Sequence, residues 1–513
     1  MSARRLRVFA GTYRDSLLLL SATRAMADGD GVNWATASMA TPATVDDLAS
    51  RGFPPDGLAD ADANALLLAV QADGDDAADD AVERGRAALF AQAGRPGDEP
   101  RGARPGTVGE AAAAMPQANV AVVSVPGPYA AIVAHSALTA GLHVLLFSDN
   151  VPLAQEIELK ERASRLGRLV MGPGAGTAML GGIGLGFANA VRAGPVGIVA
   201  AAGTGAQEVM TLLDAWGIGV SQVIGIGGRD LSAAVGGLMA RDAVRALDAD
   251  PGTDLIVLVS KPPDGDVVRS VISASTATPV VAVCLGMSTP DGLLAGAPLA
   301  ATLEEGARRA ASILGRKVPE PAAGLVEVVE RAVSRIGASR GAVRGFFTGG
   351  TLCYEAQVVL GSSLGPVFSN VPLRPELGLP APAGAHICLD LGEEEYTQGR
   401  PHPMIDPAAR TEIMRADAFG GDIAAVLLDV VIGYGSHPDP AGEIASICAD
   451  IVADGATVVA YVLGVRADSQ GLDRQRRTLR EAGAIVTESA AQAARVAAAI
   501  AARQPDLAAT VHS

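Results

Sequence analysis

Residues 195–230, PVGIVAAAGTGAQEVMTLLDAWGIGVSQVIGIGGRD, decide how this chain is read. They predict a buried strand over 196–201, a glycine turn at Gly203, Thr204 and Gly205, an amphipathic helix over 206–217 and a second strand ending at Gly227 and Gly228. A helix that starts on Gly-Thr-Gly leaves its first N–H groups unpaired and carries the positive end of the helix dipole, which suits an anion. The same turn also serves simply to reverse the chain tightly.

The second half of the sequence repeats the order. Residues 344–359, RGFFTGGTLCYEAQVV, again read as strand, turn and helix, with Gly349, Gly350 and Thr351 in the turn. Downstream, the apolar run 254–259, followed by Ser260, Lys261, Pro262 and Pro263, answers to 424–431, followed by Ile432, Gly433, Tyr434, Gly435 and Ser436. PVVAVCLG at 279–286 answers to TVVAYVLG at 457–464. Runs nearly continuous in Val, Ile and Leu, alternating with helices, mean parallel sheets covered on both faces. The expected fold is therefore α/β, with twin doubly wound domains whose ligands sit beyond the carboxyl ends of the strands. If the two pack face to face, two helix N-termini grip one phosphate.

The 513 residues carry a formal charge of −16, which excludes a nucleic-acid partner, since phosphates need a positive face. Hydrophobic residues are 49% of the chain but aromatics only 3%, so the cores are built from Ala, Val, Leu and Ile. Cys284, Cys353, Cys388 and Cys448 form no CxxC pair and read as small core residues of a reduced, cytoplasmic protein. Six histidines without metal-ligand spacing predict no metal site. No apolar run approaches the roughly 18 residues of a membrane span.

In order, the chain divides into a small α/β unit over 1–95, a Gly/Pro/Arg-rich linker over 93–107, a Rossmann-like half over 105–192, and the doubly wound units over 193–325 and 340–507. No GxGxxG opens a helix in the right setting, so no dinucleotide is indicated.

The run 120–177, VAVVSVPGPYAAIVAHSALTAGLHVLLFSDNVPLAQEIELKERASRLGRLVMGPGAGT, resembles the CoA-binding domain of the succinyl-CoA synthetase α subunit. Residues 194–286 resemble that subunit's ligase domain, and 344–503 the ligase domain of the β subunit, fused in one polypeptide without the ATP-grasp domain. With GTGAQE, IGIGGRDL, VSKPP, FTGGTL, GRPHPMIDP and DVVIGYG, the chain is similar to the FdrA family of acyl-CoA synthetase-like proteins. GRPHPMIDP, at 399–407, is the most specific of these motifs. The resemblance implies a Rossmann-like CoA-binding-type region followed by two flavodoxin-like ligase domains.

One departure bears on the chemistry. The synthetases carry phosphate on a histidine in the loop after the strand represented here by 279–286, with a glutamate nearby. This chain has no histidine between His143 and His386, and has Ser260 and Lys261 where the glutamate is expected. A point-charge ammonium suits a free phosphate. Lys261 also fits a solvated surface position.

The FdrA resemblance implies oxamate carbamoyltransferase chemistry: oxalurate and phosphate giving oxamate and carbamoyl phosphate, alongside other subunits. On that reading Gly203, Thr204 and Gly205, together with Gly433, Gly435 and Ser436, cradle the anion and Lys261 supplies charge. Arg400 clamps a carboxylate, His402 is a general acid or base oriented by Asp406, and His437 is a second acid–base group. The plainer reading of 392–410 is a Pro-locked loop whose polar groups satisfy its own backbone, with Glu393, Glu394 and Glu395 as a solvated acidic tip or, alternatively, as metal ligands. Alternatives are an acyl-CoA ligase that borrows a nucleotide domain from another chain, and a non-catalytic scaffold or CoA-binding subunit. Phosphate or carbamoyl phosphate is expected as substrate, with CoA as an option and no cofactor assigned. The expected partners are a small anionic substrate and other protein subunits in an oligomer.

Overall fold

The computed structural model describes residues 3–12, 14, 16–54, 58, 65–90, 105–320, 324–397 and 400–509. The chain forms two compact units, 1–104 with 394–402, and 105–393 with 403–513. Most of the linker expected over 93–107, and Gly399 of the GRPHPMIDP motif, lie outside the described residues.

In the first unit β1 (Ala3–Phe9), α1 (Ser16–Ala27), β2 (Val32–Met39), α2 (Pro42–Ser50), β3 (Leu66–Ala72) and α3 (Asp75–Phe90) build a three-stranded antiparallel sheet of order β1-β3-β2. The central strand LLLAVQA is buried because both faces are covered. Met26, Ala81 and Leu89 pack with Leu66, Leu68 and Val70, while Leu48 and Phe53 pack with Leu67 and Ala69. Thr41 caps α2 by accepting from the Thr44 N–H at 3.2 Å, ahead of a proline in the first helical turn.

The second unit opens with α4 (Val108–Ala114), β4 (Val120–Val123), α5 (Gly127–Thr139), β5 (His143–Leu146), α6 (Leu153–Arg165) and β6 (Val170–Met171), whose three strands are parallel in the order β4-β5-β6. Then follow β7 (Thr177–Leu180), β8 (Ile183–Gly186), β9 (Ala193–Ala200), α7 (Gly203–Ala215), β10 (Val220–Gly225), α8 (Leu238–Asp248), β11 (Leu255–Ser260), α9 (Gly265–Ile272), β12 (Val280–Cys284), β13 (Leu293–Leu294), β14 (Ala297–Ala300) and α10 (Leu303–Ile313). Their sheet runs β13-β14-β12-β11-β9-β10-β7-β8.

The last stretch holds α11 (Leu325–Val333), β15 (Ala342–Phe347), α12 (Gly350–Leu364), β16 (Val367–Ser369), β17 (His386–Asp390), α13 (Glu394–Thr397, in the first unit), α14 (Ala408–Asp417), β18 (Ile423–Val431), α15 (Pro440–Asp454), β19 (Thr457–Leu463), α16 (Leu472–Glu481), β20 (Ile485–Thr487) and α17 (Ala490–Ala502). Its sheet is parallel throughout, in the order β16-β17-β15-β18-β19-β20.

Leaving out the short strands β13 and β16 at the sheet edges, and counting from the strand before each glycine turn, both large sheets share the order 2-1-3-4-5: β10-β9-β11-β12-β14 in one and β17-β15-β18-β19-β20 in the other. This is the flavodoxin-like winding, with its switch point between the first and third strands. The sequence expectation of twin parallel sheets holds. The antiparallel hairpin β7–β8 and strand β13 extend the edges of the first sheet. The helices begin earlier than expected, at Gly203 and Gly350, because each turn glycine takes up the first helical position.

A reciprocal clasp joins the two sheets. Glu208 of α7 accepts from the Ala490 N–H at the start of α17 (3.1 Å), and Glu355 of α12 accepts from the Leu303 N–H at the start of α10 (2.6 Å). Each carboxylate lies at the same position along its helix, so each half caps the last helix of the other. Burial pushes Glu208 up to about 8, aided by the neighbouring Glu355, and pushes Glu355 up to about 7, aided by Glu304. Glu304 itself is held ionised by Arg495 and Arg308. Groups raised above the unfolded carboxyl value hold protons that the unfolded chain releases. Their contribution to stability is full below the unfolded carboxyl range and is lost as pH climbs toward 7–8. Glu208→Gln and Glu355→Gln are each expected to remove about 1–2 kcal/mol of the stability lost between acidic and neutral pH. Urea titrations across that range check this, and an unchanged pH slope in both variants speaks against it.

Candidate functional site

The two switch points meet through their helices. The Thr351 N–H at the start of α12 donates to Thr204 Oγ1 at the start of α7 (3.4 Å), and a Cβ added at Gly205 would stand 2.9 Å from Thr351 Cγ2. One added at Gly349 would stand 2.9 Å from Thr204 Cγ2. The glycines and threonines singled out in the two turns thus lie together, and the small residues are what let the helix ends approach.

The two helix ends differ in what already occupies them. At α12 the buried Asp429 accepts from the Thr348 N–H (2.8 Å), the Gly349 N–H (2.7 Å) and the Thr348 hydroxyl. Burial raises its pKa, against the pull of Arg410, whose guanidinium lies 3.4 Å away and also donates to the carbonyls of Phe346 and Asp429. A protein carboxylate therefore fills the place an anion would take on this side. No side chain caps the first turn of either helix; the difference is that Asp429 takes the two N–H groups just ahead of α12, whereas among the described residues no carboxylate stands ahead of α7. The register explains the difference. Ala200, three residues before Gly203, pairs with Val259, whereas Phe346 pairs with Leu428, so Asp429 lies opposite Phe347, three residues before Gly350. Val259 thus stands where Asp429 stands in the other half, and the first helix keeps its N-terminal groups free of any carboxylate.

Lys261, the first residue past β11, reaches this junction. A Cβ at Gly350 would stand 3.5 Å from Lys261 Nζ and would collide with Asp390 Oδ2. Lys261 makes no ion pair among the described residues. Asp390, at the end of β17, is almost fully buried. Burial pushes it up to about 6, with Lys261 pulling the other way. Asp390 closes an apolar strand and Asp429 lies inside one, so neither stands out in the sequence; the register of Asp429 against Phe347 is what finds it.

The loop at 433–437 is held from another side. Gly433 has φ 118°, and a Cβ there would collide with the Ala188 carbonyl. The Tyr434 N–H donates to Ala188 O (2.7 Å) and the Gly433 N–H to Gln470 Oε1 (3.2 Å), so two of the amides expected to cradle an anion are engaged within the protein. Gly435 packs against Phe187, and Ser436 Oγ is buried without a hydrogen-bond partner. His437 is buried; its Nδ1 accepts from the Asp439 N–H (3.1 Å) and its own N–H donates to Met404 O. Asp406 Oδ1 accepts from the Ala408 N–H (3.1 Å) at the start of α14. Arg400 and His402 belong to the first compact unit, Asp406 and His437 to the second. Burial lowers His402 to about 4, which favours the neutral imidazole. Among the described residues no group of His, Cys, Asp and Glu is arranged to hold a metal ion, and no helix is long and apolar enough to cross a membrane.

Comparison with known proteins extends the picture. The family described as CoA-ligase matches residues 346–500, and the family described as AllF, heavy metal-associated domain, matches residues 1–104. Heavy metals of the soft class call for thiolate ligands, yet residues 1–104 contain neither cysteine nor histidine, and the Met26 thioether is packed in the core. These residues do not fit a soft metal ion.

ADP-forming succinate–CoA ligase subunit alpha of Methanothermobacter thermautotrophicus is 30% identical over 179 residues, 34% of this chain and 59% of that protein. SauD, a subunit of the ADP-forming sulfoacetate–CoA ligase of Bilophila wadsworthia, is 27% identical over 185 residues, 34% of this chain and 62% of that protein. The chain thus spans about three fifths of these two relatives. Among solved structures, the dinucleotide-forming acetyl-coenzyme A synthetase 1 of Candidatus Korarchaeum cryptofilum, in complex with phosphate and ADP, aligns over 76% of this chain and 84% of that one, at 16% identity and TM-score 0.26. YahF of Escherichia coli (strain K12) is 36% identical over 495 residues, covering 93% of this chain and 95% of that protein. The chain belongs to the acyl-CoA synthetase-like family of YahF.

Proposed function

We propose that this chain transfers an acyl group between phosphate and a thiol such as CoA, the ligase step of an acid–thiol ligase whose nucleotide-binding domain resides on another chain. The observation that carries this reading is the junction of α7 and α12: two helix N-termini, one blocked by Asp429 and one open, with the unpaired Lys261 ammonium beside them. An acyl phosphate places its dianion on the open α7 end and Lys261, which stabilise the charge that grows as phosphate leaves. No histidine lies between His143 and His386 to carry the phosphoryl group, so the acyl phosphate is used as a free substrate. The succinate– and sulfoacetate–CoA ligase subunits among the relatives support thiol chemistry. Carbamoyl phosphate is itself an acyl phosphate, so it belongs in the same assay.

The test is phosphorolysis by the full chain. An acyl-CoA incubated with inorganic phosphate is expected to release free thiol at a rate that depends on phosphate and on enzyme. No phosphate-dependent thiol release from any short acyl-CoA sinks the reading.

A further inference from the structure

Asp390 has a free acceptor aimed into the junction. Its backbone is fixed on both sides by Asn370, whose side-chain carbonyl accepts from the Asp390 N–H (2.9 Å) and whose amide donates to the Asp390 carbonyl (2.9 Å). Oδ1 accepts from the Gly392 N–H (3.0 Å), which sets the carboxyl's rotation. Among the described residues Oδ2 accepts no hydrogen bond, and although the residue is only 2% exposed this oxygen is not closed off from the open side of the junction. That oxygen points at Gly350, the first residue of α12, where a Cβ would collide with it and where Lys261 Nζ also arrives. An acceptor that the protein leaves unused in an otherwise buried carboxyl is available to a donor from outside. Here it faces the same point, Gly350, as the cation proposed to hold the phosphate.

We propose that Asp390 Oδ2 is the proton acceptor for the attacking thiol in the transfer described above, a proposal that rests on that reading. In the forward step the thiol sulfur attacks the carbonyl carbon of the acyl phosphate and the carbon–sulfur bond forms. The carbon–oxygen bond to phosphate breaks, and the phosphate leaves toward α7 and Lys261. The thiol proton passes to Oδ2 and from there to the departing phosphate, which restores the carboxylate.

The surroundings suit a base near neutrality. Burial, helped by Glu393 and Asp429 and opposed by Lys261 and the Gly392 N–H, raises Asp390 to about 6. Cys353 of α12 also faces the carboxyl, but its own thiol is pushed far up by burial and stays protonated. The Arg410 charge is engaged with Asp429 rather than with Asp390. A carboxyl at that level is ionised at neutral pH, yet basic enough to take a proton in the transition state.

The test uses the full chain, acetyl phosphate and CoA, with thioester formation followed from pH 5 to pH 8, and phosphate affinity measured by calorimetry alongside. The wild type is expected to lose turnover as pH falls through about 6. Asp390→Asn keeps the Gly392 hydrogen bond, should melt no lower than wild type, and is expected to lose about 100-fold in turnover together with that acidic limb. Its phosphate affinity should stay within about twofold. Gly350→Ala, which displaces Oδ2 without changing charge, is expected to lower turnover in the same way. Asp390→Asn with wild-type turnover and an intact acidic limb overturns the proposal alone. Parallel loss of phosphate affinity and turnover makes Asp390 structural and overturns it too. A wild-type chain that makes no thioester overturns the transfer reading, and Asp390's role with it.

Discussion

Replacing Lys160 by Met is expected to destabilise the protein by about 3–5 kcal/mol. Lys160 is fully buried on α6, and its ammonium donates to Glu156 Oε1 (2.7 Å), Asp230 Oδ1 (2.8 Å) and the Ile226 carbonyl (3.0 Å). Asp230 also accepts from the Met239 and Ala240 N–H groups at the start of α8, and Arg229 pairs with Glu156 Oε2 at 2.8 Å. The network ties α6 of the three-stranded region to the loop that follows β10. Removing the ammonium leaves two buried carboxylates, of which Glu156 alone keeps a cation, the partly exposed Arg229. Adding Glu156→Gln to Lys160→Met should recover part of the loss, because one uncompensated charge is gone. Urea denaturation read by circular dichroism checks the value; a change below about 1 kcal/mol contradicts the network's role.

The largest effect on activity is expected from Lys261→Met. Its ammonium lies beside Gly350, where α12 starts against α7, and among the described residues it makes no ion pair, its pull on Asp390 acting across a longer gap. Removing it should leave folding stability within about 0.5 kcal/mol, as for a partly exposed surface side chain. Phosphate affinity should weaken at least about tenfold, and acyl transfer should fall by about 10²–10³, the usual cost of losing a donor that meets developing charge. Lys261→Arg, which keeps charge but spreads it over a planar fork, should recover only part of this. A Lys261→Met chain that melts as wild type and still transfers acyl groups at wild-type rate would show that the ammonium is only solvated.

The strands of this fold were legible because their Val, Ile and Leu runs are bounded by glycine, and because the second half repeats the order of the first. Lys261 could be singled out as one of three lysines in an arginine-rich chain. What single-chain reading missed are the carboxylates inside the junction and the clasp. Asp390 closes an apolar strand, Asp429 lies inside one, and Glu208 and Glu355 sit one turn into helices, where acidic residues usually face water. Their roles come from strand register and from the approach of two helices distant in sequence. The glycine loop at 433–437 shows the opposite error. Its glycines suggested an anion cradle, but the Ala188 carbonyl and Gln470 take up its Gly433 and Tyr434 amides. The weight placed on His402 came from the family resemblance and two flanking prolines, not from any pattern that locates a neighbour.

The central claim is that the full chain moves an acyl group from phosphate to a thiol at the meeting point of α7 and α12. The most direct measurement incubates it with CoA and, in parallel, acetyl phosphate or carbamoyl phosphate, and follows thioester and phosphate release for wild type and Lys261→Met side by side. The account predicts enzyme-dependent thioester with stoichiometric phosphate from the wild type, and about a hundredfold or greater loss in Lys261→Met. Equal rates in the two proteins, or no thioester from either acyl phosphate, would contradict it.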